Sequence, residues 1–156
     1  MEQPIAVVKT PVGWVQLAAD GDKLKEVRFL GPKKRKAVPP KRGVLMDAAI
    51  QLEEYFCGER REFTVPLALP KENGFTPSVW RELSQIPYGQ VRSYGEIAHR
   101  LKKPNASRAV GQACGRNPFL IFVPCHRVLA ANGKLGGFAF DLKIKRELLR
   151  LEGCMS

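Results

Sequence analysis

Two neighbouring residues, Cys125 and His126 in the run Ile121-Phe122-Val123-Pro124-Cys125-His126-Arg127-Val128, form the pair best suited to nucleophilic chemistry in this chain. Thiolate is the reactive form of cysteine, and an imidazole nearby, directly or through a water, can draw a thiol toward it from an ordinary pKa of about 8.5. In an extended strand adjacent side chains point to opposite faces, so the two cooperate only where the backbone turns. Pro124 favours such a turn: it lacks an N–H and stops the apolar run Phe119 to Val123 from continuing as a sheet strand. The thiol is then expected at the end of a rigid element. Taken alone, the pair also fits a buried structural cysteine beside a surface histidine. A third candidate is Glu152, at the C-terminal end of the last helix, where the helix dipole disfavours an anion by about 0.3–1 kcal/mol. That position hints at a further task, although solvent exposure explains it as well.

These groups need a scaffold. Ile5 to Lys9, Trp14 to Ala18 and Leu24 to Leu30 read as short antiparallel strands, with Asp20-Gly21-Asp22 as a hairpin turn. A basic, proline-containing connection from Gly31 to Arg42 reads as a solvated loop, with a nuclear import signal or an auxiliary phosphate contact as other possibilities. Val44 to Phe56 places Leu45, Ala48, Ala49, Leu52, Tyr55 and Phe56 on one helical face. Cys57 follows, ahead of the helix stop Gly58, and is expected to be buried. Residues 62–69 alternate as an extended segment, and the linker signal Pro70 to Gly74 sets a boundary between residues 1–70 and 71–156.

In the second part, Thr76-Pro77 reads as a helix cap followed by proline at the first helical position, with Val79, Trp80 and Leu83 on the buried side. Ser93-Tyr94-Gly95-Glu96 is a capping box opening a helix to about Lys102. Lys103-Pro104-Asn105 breaks it, and a helix from Ala106 to Cys114 completes a helix-turn-helix. That last helix is lined by small residues (Ala106, Ser107, Ala109, Gly111, Ala113), which suits close approach to another surface, inside the protein or outside it. Leu129 to Phe140 reads as a loop or hairpin. Asp141 is expected to cap a final helix carrying Leu142, Lys145, Leu148, Leu149 and Leu151. The fold class is α/β of the α+β kind: a small antiparallel sheet with a helix, then a mostly helical, winged-helix-like part.

The net charge of +11 and pI near 9.8 suit a polyanionic partner, because Lys and Arg on phosphates release counterions. Cys57, Cys114, Cys125 and Cys154 show no C-x-x-C spacing and the only histidines are His99 and His126, so no metal site is expected. His99 is expected at the surface. With no signal-peptide pattern and no membrane-length apolar run, the expectation is a cytoplasmic, reducing setting, no membrane association and no cofactor.

Pro124-Cys125-His126-Arg127-Val128, preceded by Asn117-Pro118 and by Arg108-Ala109-Val110-Gly111, resembles the active-site signature of the O6-alkylguanine-DNA alkyltransferases, and the likeness runs from Phe75 to Gly153. The resemblance implies direct repair of duplex DNA. O6-alkylguanine is flipped from the stack in the minor groove, and Cys125 takes the alkyl group irreversibly, so that each molecule acts once as a methylated-DNA–protein-cysteine methyltransferase. It implies His126 as general base, Glu152 as its orienting partner, Tyr94 as donor toward the guanine ring, and Asn117 as a brace. Arg108 would fill the space left by the flipped base. Gly95, Lys103, Ala106, Ala109, Gly111 and Ala131, with Tyr94, would meet DNA. Val128, Gly136, Gly137, Phe138, Ala139 and Lys145, with Tyr94, would line the alkylguanine pocket. A monomer, cooperative binding along DNA and action on O4-alkylthymine are further expectations. Phe140-Asp141 departs from the family, where a small residue is usual, and this puts tolerance of bulky adducts in question.

Three other readings compete. A non-catalytic lesion-binding relative would replace the nucleophile, whereas Cys125 is present. A Cys-His-Glu hydrolase would need an oxyanion hole, of which there is no glycine-rich sign. A helix-turn-helix regulator would carry long polar side chains on its reading helix.

Overall fold

The structure, a computed structural model, describes residues 4–71, 73–136 and 142–155. Packing divides the chain into two compact units, residues 1–69 with 118–120, and residues 70–117 with 121–156.

In the first unit, strands β1 (Ile5–Thr10), β2 (Gly13–Asp20) and β3 (Lys23–Gly31) form an antiparallel meander in the order β1-β2-β3. Each runs a residue or two beyond its sequence-based bounds. Helix α1 (Val44–Phe56) packs on this sheet and buries Val44, Leu45, Ala48, Leu52 and Tyr55. Gln51 is buried on the same face, where its side chain both donates to Thr64 Oγ1 (2.7 Å) and accepts from the Thr64 N–H (3.0 Å). Ala49 and Phe56 are only half-buried. Cys57 is exposed, contrary to expectation. It falls two residues after Tyr55, and on a 3.6-residue helix that places it away from the buried stripe.

The outer edge of β3 takes two short partners rather than a strand. The Leu24 N–H donates to the Pro66 carbonyl (2.8 Å), and the Val27 N–H to the Pro118 carbonyl (2.8 Å). The apolar run Phe119 to Val123 is therefore not a strand: only Phe119 pairs, and Ile121 turns the chain at φ 71°. The run is apolar because it is buried throughout. The basic connection is exposed from residue 32 to 37, and Val38 pairs with Val7.

The second unit holds α2 (Phe75–Leu83), β4 (Arg92–Ser93), α3 (Tyr94–Arg100), α4 (Ser107–Gly115), β5 (Val128–Leu129) and α5 (Leu142–Leu151), with β4 and β5 paired in parallel. Helix α2 starts from Gly74, so Thr76 and Pro77 lie inside its first turn and Thr76 is not the cap. Every N–H of that turn lacks an intrahelical acceptor, so proline is tolerated there as well as at the first position. Ser93 caps α3, its Oγ accepting from the Glu96 N–H at 3.0 Å. This helix ends earlier than Lys102, because Lys102 turns left-handed (φ 62°) and the Lys103 N–H bonds back to the Ala98 carbonyl (2.9 Å). The break thus precedes Pro104. Helix α4 then packs on α2 and α3 through Val110, Ala113 and Cys114, and the Trp80 indole N–H donates to the Ala113 carbonyl at 2.9 Å.

Candidate active site and nucleic-acid face

Pro124, at φ −81° and ψ 63°, is the middle residue of an inverse γ-turn closed by Cys125 N–H to the Val123 carbonyl (2.8 Å). A single 3₁₀ turn, Cys125–Arg127, follows. The thiol and imidazole thus sit on curved backbone. Asn117, itself buried, donates through Nδ2 to the Val123 carbonyl (2.8 Å) and to Cys125 Sγ (3.1 Å), tying the approach to the turn.

Cys125 is 1% exposed, and its acidity departs from the sequence-based expectation. Burial pushes the thiol up to about 11, against the Asn117 hydrogen bond and the nearby charge of Lys145, which both favour thiolate. The resting sulfur is therefore protonated at neutral pH. Burial likewise pulls His126 below its ordinary value, against the hydrogen bond and charge of Glu152, while the charges of Arg127 and Lys145 add to the lowering. A neutral imidazole can accept a proton but cannot hold a thiolate by ion pairing.

Glu152 meets His126, with Oε2 2.7 Å from Nε2. Burial by itself would raise the carboxyl, but hydrogen bonds and charge from His126 and Arg127 overcome this and hold it well below the usual carboxylate range. Arg127 donates through Nε to Oε1 (2.7 Å) and through Nη2 to Oε2 (3.1 Å), while Nη1 donates to the Ile86 carbonyl (2.6 Å). The Gly89 N–H donates to Oε1 at 3.3 Å. An ionised carboxylate only accepts, so His126 carries its proton on Nε2 and presents a bare lone pair on Nδ1. Nδ1 is buried and has no hydrogen-bond partner among the described residues.

A second group of residues surrounds the half-buried ring of Tyr94 at the start of α3. Gly136 (φ 68°) lies so close that a Cβ there would stand 2.7 Å from Tyr94 Cε2. A Cβ on Gly111 of α4 would be 3.8 Å from Cε1, and Lys145 Nζ is 5.8 Å from the ring centre. Lys145 is fully buried, donates to the carbonyls of Val128 (2.7 Å) and Leu135, and is drawn down to about 8 by burial. Cys114 is also buried, which pushes its thiol up to about 12. Gly137, Phe138, Ala139, Phe140 and the expected cap Asp141 lie outside the described residues.

Arg108, second residue of α4, is exposed and has no ion-pair partner among the described residues. Ala106, Ala109, Gly111 and Gly95 are half-exposed, and Lys103 and Ala131 are exposed, Ala131 in the turn from Ala130 to Lys134. His99 is exposed on α3. No helix among the described residues is long and apolar enough to cross a membrane.

Sequence reasoning assigns no site role to Arg127, although it stands in the signature, or to the turn at Tyr88-Gly89-Gln90. The available signal was a positive charge in the midst of the apolar residues 119–128. A buried arginine needs a buried anion, and Glu152 was the acid without an explanation.

A helix-turn-helix unit that keeps a thiol, an imidazole and a carboxylate in one buried cluster narrows the class. Residues 74–154 match the model described as "6-O-methylguanine DNA methyltransferase, DNA binding domain", and residues 5–69 that described as "6-O-methylguanine DNA methyltransferase, ribonuclease-like domain". The chain is 49% identical over 152 residues to the methylated-DNA–protein-cysteine methyltransferase of Methanosarcina acetivorans, covering 95% of this chain and 97% of that one. It is 45% identical to that of Mycobacterium tuberculosis, covering 93% and 89%. The crystal structure of Mycobacterium tuberculosis OGT in complex with DNA superimposes with a TM-score of 0.84 at 44% identity, over 95% of this chain and 91% of that one. The chain belongs to the 6-O-methylguanine DNA methyltransferase family.

Proposed function

We propose that this protein repairs duplex DNA by moving the alkyl group of O6-alkylguanine, and of O4-alkylthymine, onto Cys125 in a single turnover. The Cys125 S–C bond forms as the O6–C bond breaks. The thiol proton passes to Nδ1 of His126, through a water where the two are not in direct reach, and Glu152 stabilises the imidazolium. Tyr94 donates a proton toward the guanine ring so that the base departs neutral, and it is reprotonated from the imidazolium by way of solvent. A thioether is not cleaved by water, so the protein is consumed. The observation that carries this reading is the Asn117–Cys125 and His126–Glu152 arrangement, which leaves the one free basic nitrogen of the cluster on the residue next to the thiol.

Arg108 enters the stack from α4 in the minor groove, where the small residues Ala106, Ala109 and Gly111 allow close approach, and Gly95, Lys103 and Ala131 meet the backbone. Tyr94, Val128, Gly136 and Lys145 line the alkylguanine pocket, to which the family resemblance also assigns Gly137, Phe138 and Ala139, outside the described residues. Residues 71–156 carry this work apart from 118–120, which pack with the N-terminal unit, and residues 1–70 form the rest of that separate domain. The free thiols suit a cytoplasmic setting.

Incubation with duplex DNA carrying labelled O6-methylguanine tests the reading. Label is expected on the Cys125 peptide, saturating near one per molecule, and Cys125→Ser abolishes transfer while retaining lesion binding. Continuous release of methanol would instead identify a hydrolase, and binding without transfer a lesion-flagging protein.

A further inference from the structure

Glu152 is shared. Its Oε2 faces His126 Nε2 at 2.7 Å and Arg127 Nη2 at 3.1 Å, and its Oε1 takes Arg127 Nε at 2.7 Å. Arg127 is 5% exposed and is itself anchored by the Ile86 carbonyl, with its guanidinium 5.8 Å from the centre of the Tyr88 ring. The charged groups acting on the imidazole are Glu152 after α5, Arg127 in the same turn and Lys145 on α5, with the neutral thiol of Cys125 as the titratable neighbour along the chain.

We propose that Arg127 is a positioning residue for alkyl transfer, holding the Glu152 carboxylate by a two-point contact so that His126 stays a free base. A buried carboxylate facing imidazole alone would draw a proton onto it, forming an imidazolium–carboxylate pair that cannot accept the thiol proton. Arg127 satisfies that carboxylate with a permanent charge and fixes the oxygen against which Nε2–H points. Among the described residues the Arg127 side chain hydrogen-bonds Glu152 and the Ile86 carbonyl and not His126, so it acts through the carboxylate. This inference rests on the functional reading above only for its kinetic consequence, since the arrangement of charges stands without it.

The test is a pH profile on Arg127→Met, which keeps the length of the side chain and removes the charge. The acid limb of the alkyl-transfer rate is expected to move up by about 1 pH unit, with the rate recovering toward wild type above the new midpoint. Arg127→Lys should return the limb to its wild-type place at a lower plateau, because a point charge cannot make the two-point contact. A loss uniform across pH would overturn the proposal, as would an Arg127→Met limb that stays in place. Nitrogen-detected NMR titration of the histidines reads the same effect without DNA. The chain has two, and His99→Gln removes the other signal. An upward shift of the His126 titration in Arg127→Met, with Nε2 as the protonated nitrogen in the neutral form, supports the proposal even if no transfer is found. An unshifted titration overturns it. Should Arg127→Met fail to fold, Arg127→Lys decides alone: an exchange between Nε2–H and Nδ1–H forms supports the positioning role, and an unchanged tautomer and unchanged rate sink it.

Discussion

Arg108 and Arg127 lie on either side of Cys125 in sequence, and the fold treats them in opposite ways. On the open face of α4, Arg108 has no ion pair among the described residues and has alanine and glycine as helix neighbours, so its charge is available to something outside the molecule. In the buried turn, the side chain of Arg127 directs its hydrogen bonds among the described residues to Glu152 and the Ile86 carbonyl. The difference teaches where each free energy appears. Removing an exposed, unpaired charge changes binding and leaves the fold alone, whereas removing one member of a buried cluster leaves its partners desolvated and uncompensated.

The strongest way to break this contrast is Glu152→Ala. It strands Arg127 and His126 and should cost about 3–5 kcal/mol of stability in urea unfolding, besides transfer activity. A loss below about 1 kcal/mol would mean that the cluster is not a desolvated charge network. Arg108→Ala should do the reverse: stability within about 0.5 kcal/mol of wild type, repair of duplex slowed about 10- to 100-fold, and reaction with free O6-methylguanine unchanged. Equal losses on duplex and free base would remove the distinction between the two arginines.

Acid titration of stability sharpens the comparison further. The folded-state value of Glu152 is depressed, so its contribution is present above the unfolded carboxylate value of about 4.3 and is lost as pH falls through the folded value. His126 is depressed as well, so below about 6.5 the unfolded chain takes up a proton that the folded chain refuses. Both act in one direction: stability should decline as pH is lowered from about 6.5. Glu152→Gln should flatten the lower part of that decline, and Arg108→Ala should leave it unchanged. The smallest effect is expected from Lys103→Ala, which should reduce the slope of log binding constant against log salt by about one without altering specificity for the lesion.

Much of the scaffold was legible because it is local. Ser93 three residues before Glu96 caps α3, and the apolar spacing of Leu45, Ala48, Leu52 and Tyr55 marks the buried stripe of α1. Local reading failed where long-range pairing decided. Phe119 to Val123 looks like a strand, yet it contributes one bridge to β3 and then turns at Ile121. Thr76-Pro77 looks like a cap and lies inside the helix. Lys102 fits the helical pattern by sequence, although its left-handed backbone ends the segment.

The amino-acid order alone determined that a thiol and an imidazole stand together at a proline turn, that a helix-turn-helix precedes them, and that the surface is strongly basic, since these depend on neighbours within a few residues. Only the tertiary structure decided that the thiol rests protonated, that His126 meets Glu152 through Nε2, and that Arg127 shares the carboxylate. Those outcomes depend on how far each charge is withdrawn from water and which distant group reaches it, and both are sums over the folded chain that no short window of sequence contains.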